Sequence, residues 1–330
     1  MVAAQTITQF RNERVRMPAA LRAGVIGAGV FGGHHARKCA SLHGVELAAV
    51  LDPHAERAEI LAGPAGAAVF DDLDAFLDAV DLVTVACPAS SHARMAMQAL
   101  ARGKHVYVEK PLADDAEDGR ALVAAARGSG AVLACGHQER AVFGAIGLLG
   151  LPERPIRIEA VRRGTFTGRN TDVSCVLDLM IHDIDLALAL AGESPVEVTA
   201  RGRITEGPFA DEAHAELVFA GGMIATLDAS RIAEKRERTM RVEFPSGRFE
   251  IDFLTRKFVD DTPFRLDRDF AESADGRDPL GASIAAFVAA ARGEAARPLV
   301  TGEEAARALE VALEVDGKAA ARPKLRLVRG

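Results

Sequence analysis

The chain has 330 residues, and its 47 acidic against 40 basic side chains give a net charge of −7. That length suggests two domains with a sizeable core, and the acidity excludes bulk attraction to nucleic acid or to an anionic membrane. With no Trp and a single Tyr, stacking platforms for bases are also hard to build.

Residues 1–20 contain no apolar h-region and read as a poorly ordered leader ahead of the folded part. No later stretch is long and apolar enough for a membrane span. Cys39, Cys87, Cys135 and Cys175 are far apart, with no C-x-x-C pair and no histidines spaced for zinc. They read as reduced thiols of a cytoplasmic protein without a metal.

From Leu21 the pattern becomes regular. Leu21 to Ile26 is a short buried strand, Gly27-Ala-Gly29-Val30-Phe31-Gly32 follows, and a helix runs from Gly33 to Ala40. A G-x-G-x-x-G run between strand and helix is a dinucleotide fingerprint. The first two glycines permit a tight turn and a close approach of backbone N–H groups to a pyrophosphate, and the third lets the helix pack on the strand. The helix N-terminus adds partial positive charge beneath the phosphates. A second strand, Val45 to Leu51, ends in Asp52, 20 residues past Gly32. A carboxylate there accepts from the adenosine ribose hydroxyls and repels a 2′-phosphate, so NAD is expected before NADP. The bland alternative is an Asp that only starts the turn Asp52-Pro53.

Strands at 81–86, 105–108 and 131–135 alternate with helices at 92–102 and 116–128. This rhythm means a doubly wound parallel sheet with ligands at the carboxyl ends of its strands, so residues 21–140 are expected to form an α/β Rossmann domain. Those ends carry Cys87-Pro88, Glu109-Lys110-Pro111 and Gly136-His137-Gln138-Glu139-Arg140, the groups expected around a nicotinamide and its substrate. Two adjacent opposite charges in a loop are usually a solvated pair. At the end of an interior strand Lys110 instead points into the cleft, able to bind a substrate hydroxyl or assist proton transfer. His34, His35 and His92 stand at helix starts, where a capping or packed ring is the ordinary reading; His92 also borders the cofactor position.

Residues 141–330 change rhythm. Strands at 156–163, 196–204, 213–219, 223–230, 240–244 and 248–253, with short glycine turns, indicate an α+β domain around an antiparallel sheet. Helices return at 279–292 and 303–321. Between the first strand and the rest lies Asp178-Leu-Met-Ile-His182-Asp183-Ile-Asp185. On a helix Asp178, His182 and Asp185 share one face of an otherwise apolar segment. A carboxylate beside an imidazole at this spacing is a proton-transfer pair, with His182 as base tuned by Asp178 and with Asp185 either holding the tautomer or pairing with an Arg. Arg163 and Arg169 precede this helix in a glycine-containing loop, where guanidiniums can clamp a diphosphate. The basic run 231–241 reads as a solvated strand edge.

The glycine fingerprint, Glu109-Lys110-Pro111 and the Asp178…His182 helix, in this order, resemble the Gfo/Idh/MocA family from Leu21 onward. The resemblance implies an NAD(P)-dependent oxidoreductase of sugar or cyclitol hydroxyls. It also implies a catalytic trio of Lys110, Asp178 and His182, and an open, mostly antiparallel C-terminal sheet whose free face makes a homodimer or homotetramer. Where many members carry three glycines before the Asp, this chain has Ser174, Cys175 and Val176. The stretch from Arg163 to Asp185, with Gly32-Gly-His34-His35-Ala-Arg37, is similar to the branch of the family that oxidises UDP-N-acetylglucosamine at carbon 3 for lipid A precursors. That implies a nucleotide-sugar substrate, with oxidation of a free sugar or inositol, a non-catalytic NAD-binding sensor and a glycosidase using NAD transiently as rivals. On this reading Gly27, Gly29, Val30, Phe31, Gly32, Asp52, Cys87, Pro88, His92, Glu109 and Lys110 hold the cofactor. His137, Glu139, Arg163, Arg169 and Asp185 hold the substrate.

Overall fold

A computed structural model of the chain describes residues 20–168 and 173–320; the leader over 1–19 and Arg169 lie outside the described residues. The first sheet contains β1 (Leu21–Ile26), β2 (Val45–Leu51), β3 (Ala68–Phe70), β4 (Leu82–Val85), β5 (His105–Val108) and β6 (Leu133–Cys135). Their order is β3-β2-β1-β4-β5-β6, and every neighbouring pair is parallel. The crossovers run through α1 (Val30–Ser41), α2 (Ala55–Ala62), α3 (Leu73–Asp78), α4 (His92–Ala101) and α5 (Ala116–Ser129). All four residues of β4 are buried, as expected of a central strand covered on both faces. Asp72 and Asp115 cap α3 and α5 by accepting backbone N–H bonds, and Gly130 in the left-handed region ends α5. The three-residue edge strand β3 and the short helices beside it give no periodic signal and are absent from the expected elements.

After β6 the chain turns through α6 (Glu139–Ile146) into the second sheet. This sheet contains β7 (Arg157–Arg163), β8 (Pro195–Arg203), β9 (Glu212–Phe219), β10 (Ile224–Ser230), β11 (Glu237–Phe244), β12 (Gly247–Asp252) and β13 (Lys257–Asp260). Its order is β13-β12-β11-β7-β10-β9-β8, with β7 and β10 the one parallel pair. A parallel neighbour needs a crossover, and α7 (Ile181–Ala191) supplies it together with β8 and β9. Alternation sorts the two faces. Ala213, Ala215, Leu217 and Phe219 of β9 are buried, whereas Glu212, His214 and Glu216 point away. The outward face carries cross-strand ion pairs, Arg241 with Glu250 at 3.0 Å and Arg163 with Asp228 at 2.7 Å.

Of the last helices, α8 (Ala274–Arg277), α9 (Pro279–Ala291) and α10 (Gly302–Ala320), α9 returns to β5 and α1 of the first sheet, while α10 packs both on β8 of the second and on α5 and β6 of the first. Phe287 of α9 meets Tyr107 of β5 edge to face, with ring centroids 5.7 Å apart, and the Tyr107 hydroxyl lies 3.0 Å from Ser283 Oγ. On α10, Ala305, Ala308, Leu309, Ala312 and Val315 form the buried stripe of an amphipathic helix set between the two sheets. A division near residue 140 therefore describes the sheets but not the helices. Because Phe287 is fully buried against the first sheet, Phe287→Ala is expected to cost about 3–5 kcal/mol in urea unfolding. A loss below about 1 kcal/mol would show that α9 is only loosely docked.

Candidate active site

The site begins with the glycine loop. Gly27 has φ +100°, and a Cβ there would lie 2.7 Å from Ala86 O. A Cβ on Gly32 would lie 1.8 Å from Gly27 O, so α1 can approach the loop only without a side chain at that position. A Cβ on Gly29 would meet nothing within 4 Å, because this residue faces an open cleft. Gly29 also begins α1, which has neither a side-chain cap nor an acid in its first turn. The free N–H groups thus point into a cleft of about 640 Å³ lined by Gly27, Gly29, Val30, Phe31, Asp52 and Cys87. Uncapped amides and the space a Cβ would fill suit the pyrophosphate of NAD.

Asp52 is held by this loop. Its Oδ2 accepts the Ala28 N–H at 2.7 Å and its Oδ1 the His54 N–H at 2.8 Å. Burial pushes the carboxyl up, but these donors outweigh it and keep Asp52 below the usual range. Asp52 is thus both a turn anchor and an anion beside the cleft, with lone pairs left for ribose hydroxyls.

Beyond Cys87 and Pro88 the cleft narrows to a pocket of about 130 Å³ bounded by Phe31, His92, Glu109, Lys110 and Asp178. Two expected cofactor contacts act here through packing. The His92 ring spans two loops, with Nδ1 2.7 Å from Pro111 O and Nε2 2.9 Å from Cys87 O. The Glu109 carboxylate turns back to His35, Oε1 to Nε2 at 2.6 Å, and so ties the end of β5 to α1. Burial opposes its charge, but His35 and Lys110 prevail and hold its pKa below the usual value.

The expected acid–base pair is assembled differently. Lys110 Nζ donates to the Asp178 carboxylate at 2.9 Å and to its carbonyl at 2.7 Å. His182 Nδ1 instead lies 2.7 Å from Glu139 Oε2, a close charge contact whose angle is poor for a hydrogen bond. Glu139, expected to touch substrate, therefore replaces Asp178 as the carboxylate on the imidazole. The reason lies in the backbone: residues 176–180 form a π turn in which the Ile181 N–H reaches Val176 O, five residues back. The wider turn breaks the α-helical face that the spacing of Asp178 and His182 implied. Of the two roles open to Asp185, the structure has the pairing with an Arg. It is 1% exposed and takes both Arg140 Nε at 2.7 Å and Arg140 Nη2 at 2.9 Å, so it is a buried structural anion and not the substrate contact that the resemblance implied.

Arg163, expected to contact substrate, lies outside the cleft, and its neighbour Arg162 lies inside. Strand alternation turns Arg162 inward, where it bonds Asp183 through two nitrogens and Glu139 at 2.9 Å. Arg163 faces out and is engaged by Asp228, away from the cleft. The inward positions Ile158 and Ala160 of the same strand were the signal for Arg162. Burial pushes Glu139 up, yet His182 and Arg162 overcome it and hold its carboxyl far below the usual range. From the basic run, Arg231 is buried on Asp211 at 2.7 Å and not on a solvated edge.

His137 is buried edge-on to His182, with ring centroids 6.1 Å apart, and neither of its ring nitrogens has a hydrogen-bond partner among the described residues. Burial lowers its pKa from 6.5 to about 4, with His182 and Arg140 adding to the effect and Asp185 opposing it. The ring is neutral at physiological pH, and the unfolded chain takes up a proton below pH 6.5 that the folded chain refuses until about pH 4. Stability therefore falls as pH drops through that window, by roughly 3 kcal/mol from this group. Urea unfolding of His137→Phe is expected to be flatter over the same window, and an unchanged slope would remove His137 as the cause.

Comparison with known proteins agrees with this geometry. Residues 21–137 match the model of an oxidoreductase family with an NAD-binding Rossmann fold, and residues 155–251 match the GFO/IDH/MocA C-terminal domain. UDP-N-acetylglucosamine 3-dehydrogenase from Acidithiobacillus ferrooxidans is 37% identical over 71% of this chain and 74% of its own. An inositol 2-dehydrogenase from Rhizobium meliloti is 32% identical over 56% and 59%. A solved structure of the Acidithiobacillus enzyme superposes with a TM-score of 0.82 at 33% identity, covering 91% of this chain and 98% of that one. The WlbA dehydrogenase from Bordetella pertussis, solved with NADH and UDP-GlcNAcA, shares the fold at a TM-score of 0.79 and 20% identity, over 92% and 96% of the two chains. With a glycine loop shaped for NAD and a lysine–carboxylate pair at its inner end, the chain belongs to the Gfo/Idh/MocA family of NAD-dependent oxidoreductases.

Proposed function

We propose that this oxidoreductase oxidises the 3-hydroxyl of UDP-N-acetylglucosamine, a step toward lipid A precursors. The observation that carries the reading is the contact of Lys110 with Asp178 in the pocket where the dinucleotide cleft narrows, with His182 beside Glu139 on the helix that follows Asp178. The similarity to a UDP-N-acetylglucosamine 3-dehydrogenase supports the choice of sugar.

NAD, when bound, supplies a hydride acceptor. His182 takes the proton of the sugar hydroxyl as the carbonyl forms, and the Glu139 carboxylate steadies the imidazolium. Lys110, oriented by Asp178, donates to the same oxygen and stabilises the charge that develops there. Arg162 fixes Glu139 from the other side.

The test is formation of NADH with UDP-N-acetylglucosamine, myo-inositol and free N-acetylglucosamine offered in turn. The nucleotide sugar is expected to be strongly preferred. Lys110→Met and His182→Gln should each lower kcat by about 10²–10⁴ while NADH still binds. Turnover near wild type in both variants would overturn the mechanism.

We also infer a cytoplasmic homodimer or homotetramer, associating through the outward face of the second sheet. Four free thiols, three of them buried, suit a reducing compartment, and no described helix is long and apolar enough to cross a membrane. The outward ion pairs surround a hollow of about 410 Å³ that includes Arg201, Arg203 and His214. Light scattering is expected to give two or four chains, and Arg203→Glu to shift the protein toward monomer; a monomeric wild type would overturn the inference.

A further inference from the structure

We propose that a cavity of about 240 Å³, bounded by α6 and the ends of β11 and β12, is the subsite for the substrate's diphosphate, held by Arg238 and Arg256. This rests on the nucleotide-sugar reading above and moves the diphosphate away from Arg163, which is engaged by Asp228 on the opposite face of the sheet.

The first observation is an unbalanced cation. The buried arginines near the catalytic helix have carboxylates: Arg162 has Asp183 and Glu139, and Arg140 has Asp185; Arg238 beside them is half-buried. Arg238 has no ion-pair partner among the described residues, and its Nε is buried without a hydrogen-bond acceptor. Burial, followed by repulsion from Arg162, lowers the pKa of its guanidinium. A half-buried guanidinium with a sequestered nitrogen that lacks an acceptor is a group that a ligand can complete. Only an anion answers both penalties, because it supplies acceptors and opposite charge together.

The second observation is independent and lies across the same cavity. Arg256 has φ +59°, the one non-glycine residue with positive φ among those described. Glycine or asparagine is favoured in that conformation. Its guanidinium lies 6.0 Å above the Phe270 ring and donates to Gly276 O, so the head group is aimed and not loose. Backbone outliers of this kind gather where a side chain serves a ligand.

The third is location. Glu139 lines the cavity and also contacts His182, so a ligand whose hydroxyl lies on His182 extends naturally toward Arg238. The charge of Glu139 is already balanced by Arg162 and His182. Two guanidiniums are thus left for the ligand, matching a diphosphate, and Phe253 and Phe270 offer apolar walls.

UDP titrated into the NADH-bound enzyme tests the proposal, with Arg238→Met and Arg256→Gly as variants. Wild type is expected to bind UDP and to show UDP as a competitor of UDP-N-acetylglucosamine. Each variant should weaken UDP about 10-fold or more, raise KM far more than it changes kcat, and leave NADH affinity unchanged. Without ligand, both variants should melt at or above the wild-type temperature, since one removes a half-buried cation without an ion-pair partner among the described residues and the other relieves the backbone. Variants that bind UDP as wild type does, while wild type turns over UDP-N-acetylglucosamine, would overturn the subsite and leave the functional reading standing. Lower melting temperatures with UDP and NADH weakened together would mark a structural role and also overturn it. Failure of wild type both to bind UDP and to oxidise the nucleotide sugar would overturn the functional reading and the subsite with it. If the variants lose a UDP-uronate but keep UDP, the cations read a sugar carboxylate and the diphosphate assignment fails.

Discussion

Arg162 is a guanidinium almost wholly withdrawn from water at the seam between the two sheets, and the surroundings of the catalytic helix follow from neutralising it. A buried cation is tolerable only with anions at hydrogen-bond distance, and removing one partner from such a cluster typically costs about 3–5 kcal/mol. Asp183 supplies one anion from α7 and Glu139 supplies the other from the start of α6. One charge thereby binds the inward face of β7, the helix that presents His182 and the strand-end loop of the dinucleotide domain. Arg140 and Asp185 repeat the arrangement a turn away, with Glu304 of α10 close to the same guanidinium. These contacts give the proposed base His182 a fixed carboxylate, independent of substrate.

The cofactor cleft obeys a different constraint. At the point where the strand order reverses between β1 and β4, the loops diverge and leave a crevice at the carboxyl ends. Three glycines make that crevice usable, two because neighbouring backbone would collide with a side chain and one because a ligand must come close. His92 and Glu109 then hold the loops around it, each by contacts with protein atoms. The cleft is thus preformed, and Lys110 is carried at its inner end by a loop braced on both sides.

Much of this was legible in advance, for reasons that can be located. The glycine run, Asp52 and the alternation of strands and helices are local patterns, each written within about 30 residues, as a strand–helix–strand unit must be. Asp178 and His182 stand out because ionisable groups on an apolar helix are conspicuous, and Lys110 because it follows an interior strand. The partners were not legible. Asp178 was paired with His182 on the assumption of a regular α-helix, and the π turn at 176–180 breaks that geometry without a residue type that announces it. Position before the catalytic helix singles out Arg163, whereas strand alternation turns Arg162 inward. For Asp185 pairing with an arginine was one open reading, but the partner was not legible, since Arg140 is 45 positions away.

The sequence by itself therefore determined the two-sheet architecture, the dinucleotide cleft and the residue types of the active site, because periodicity and turn chemistry are short-range properties of the chain. Tertiary structure alone decided which carboxylate meets which cation, how α9 returns to the first sheet, and that Arg238 has no ion-pair partner among the described residues. Burial converts such pairings from weak surface contacts into strong constraints. Burial is a property of the assembled fold, and no local window of residues contains it.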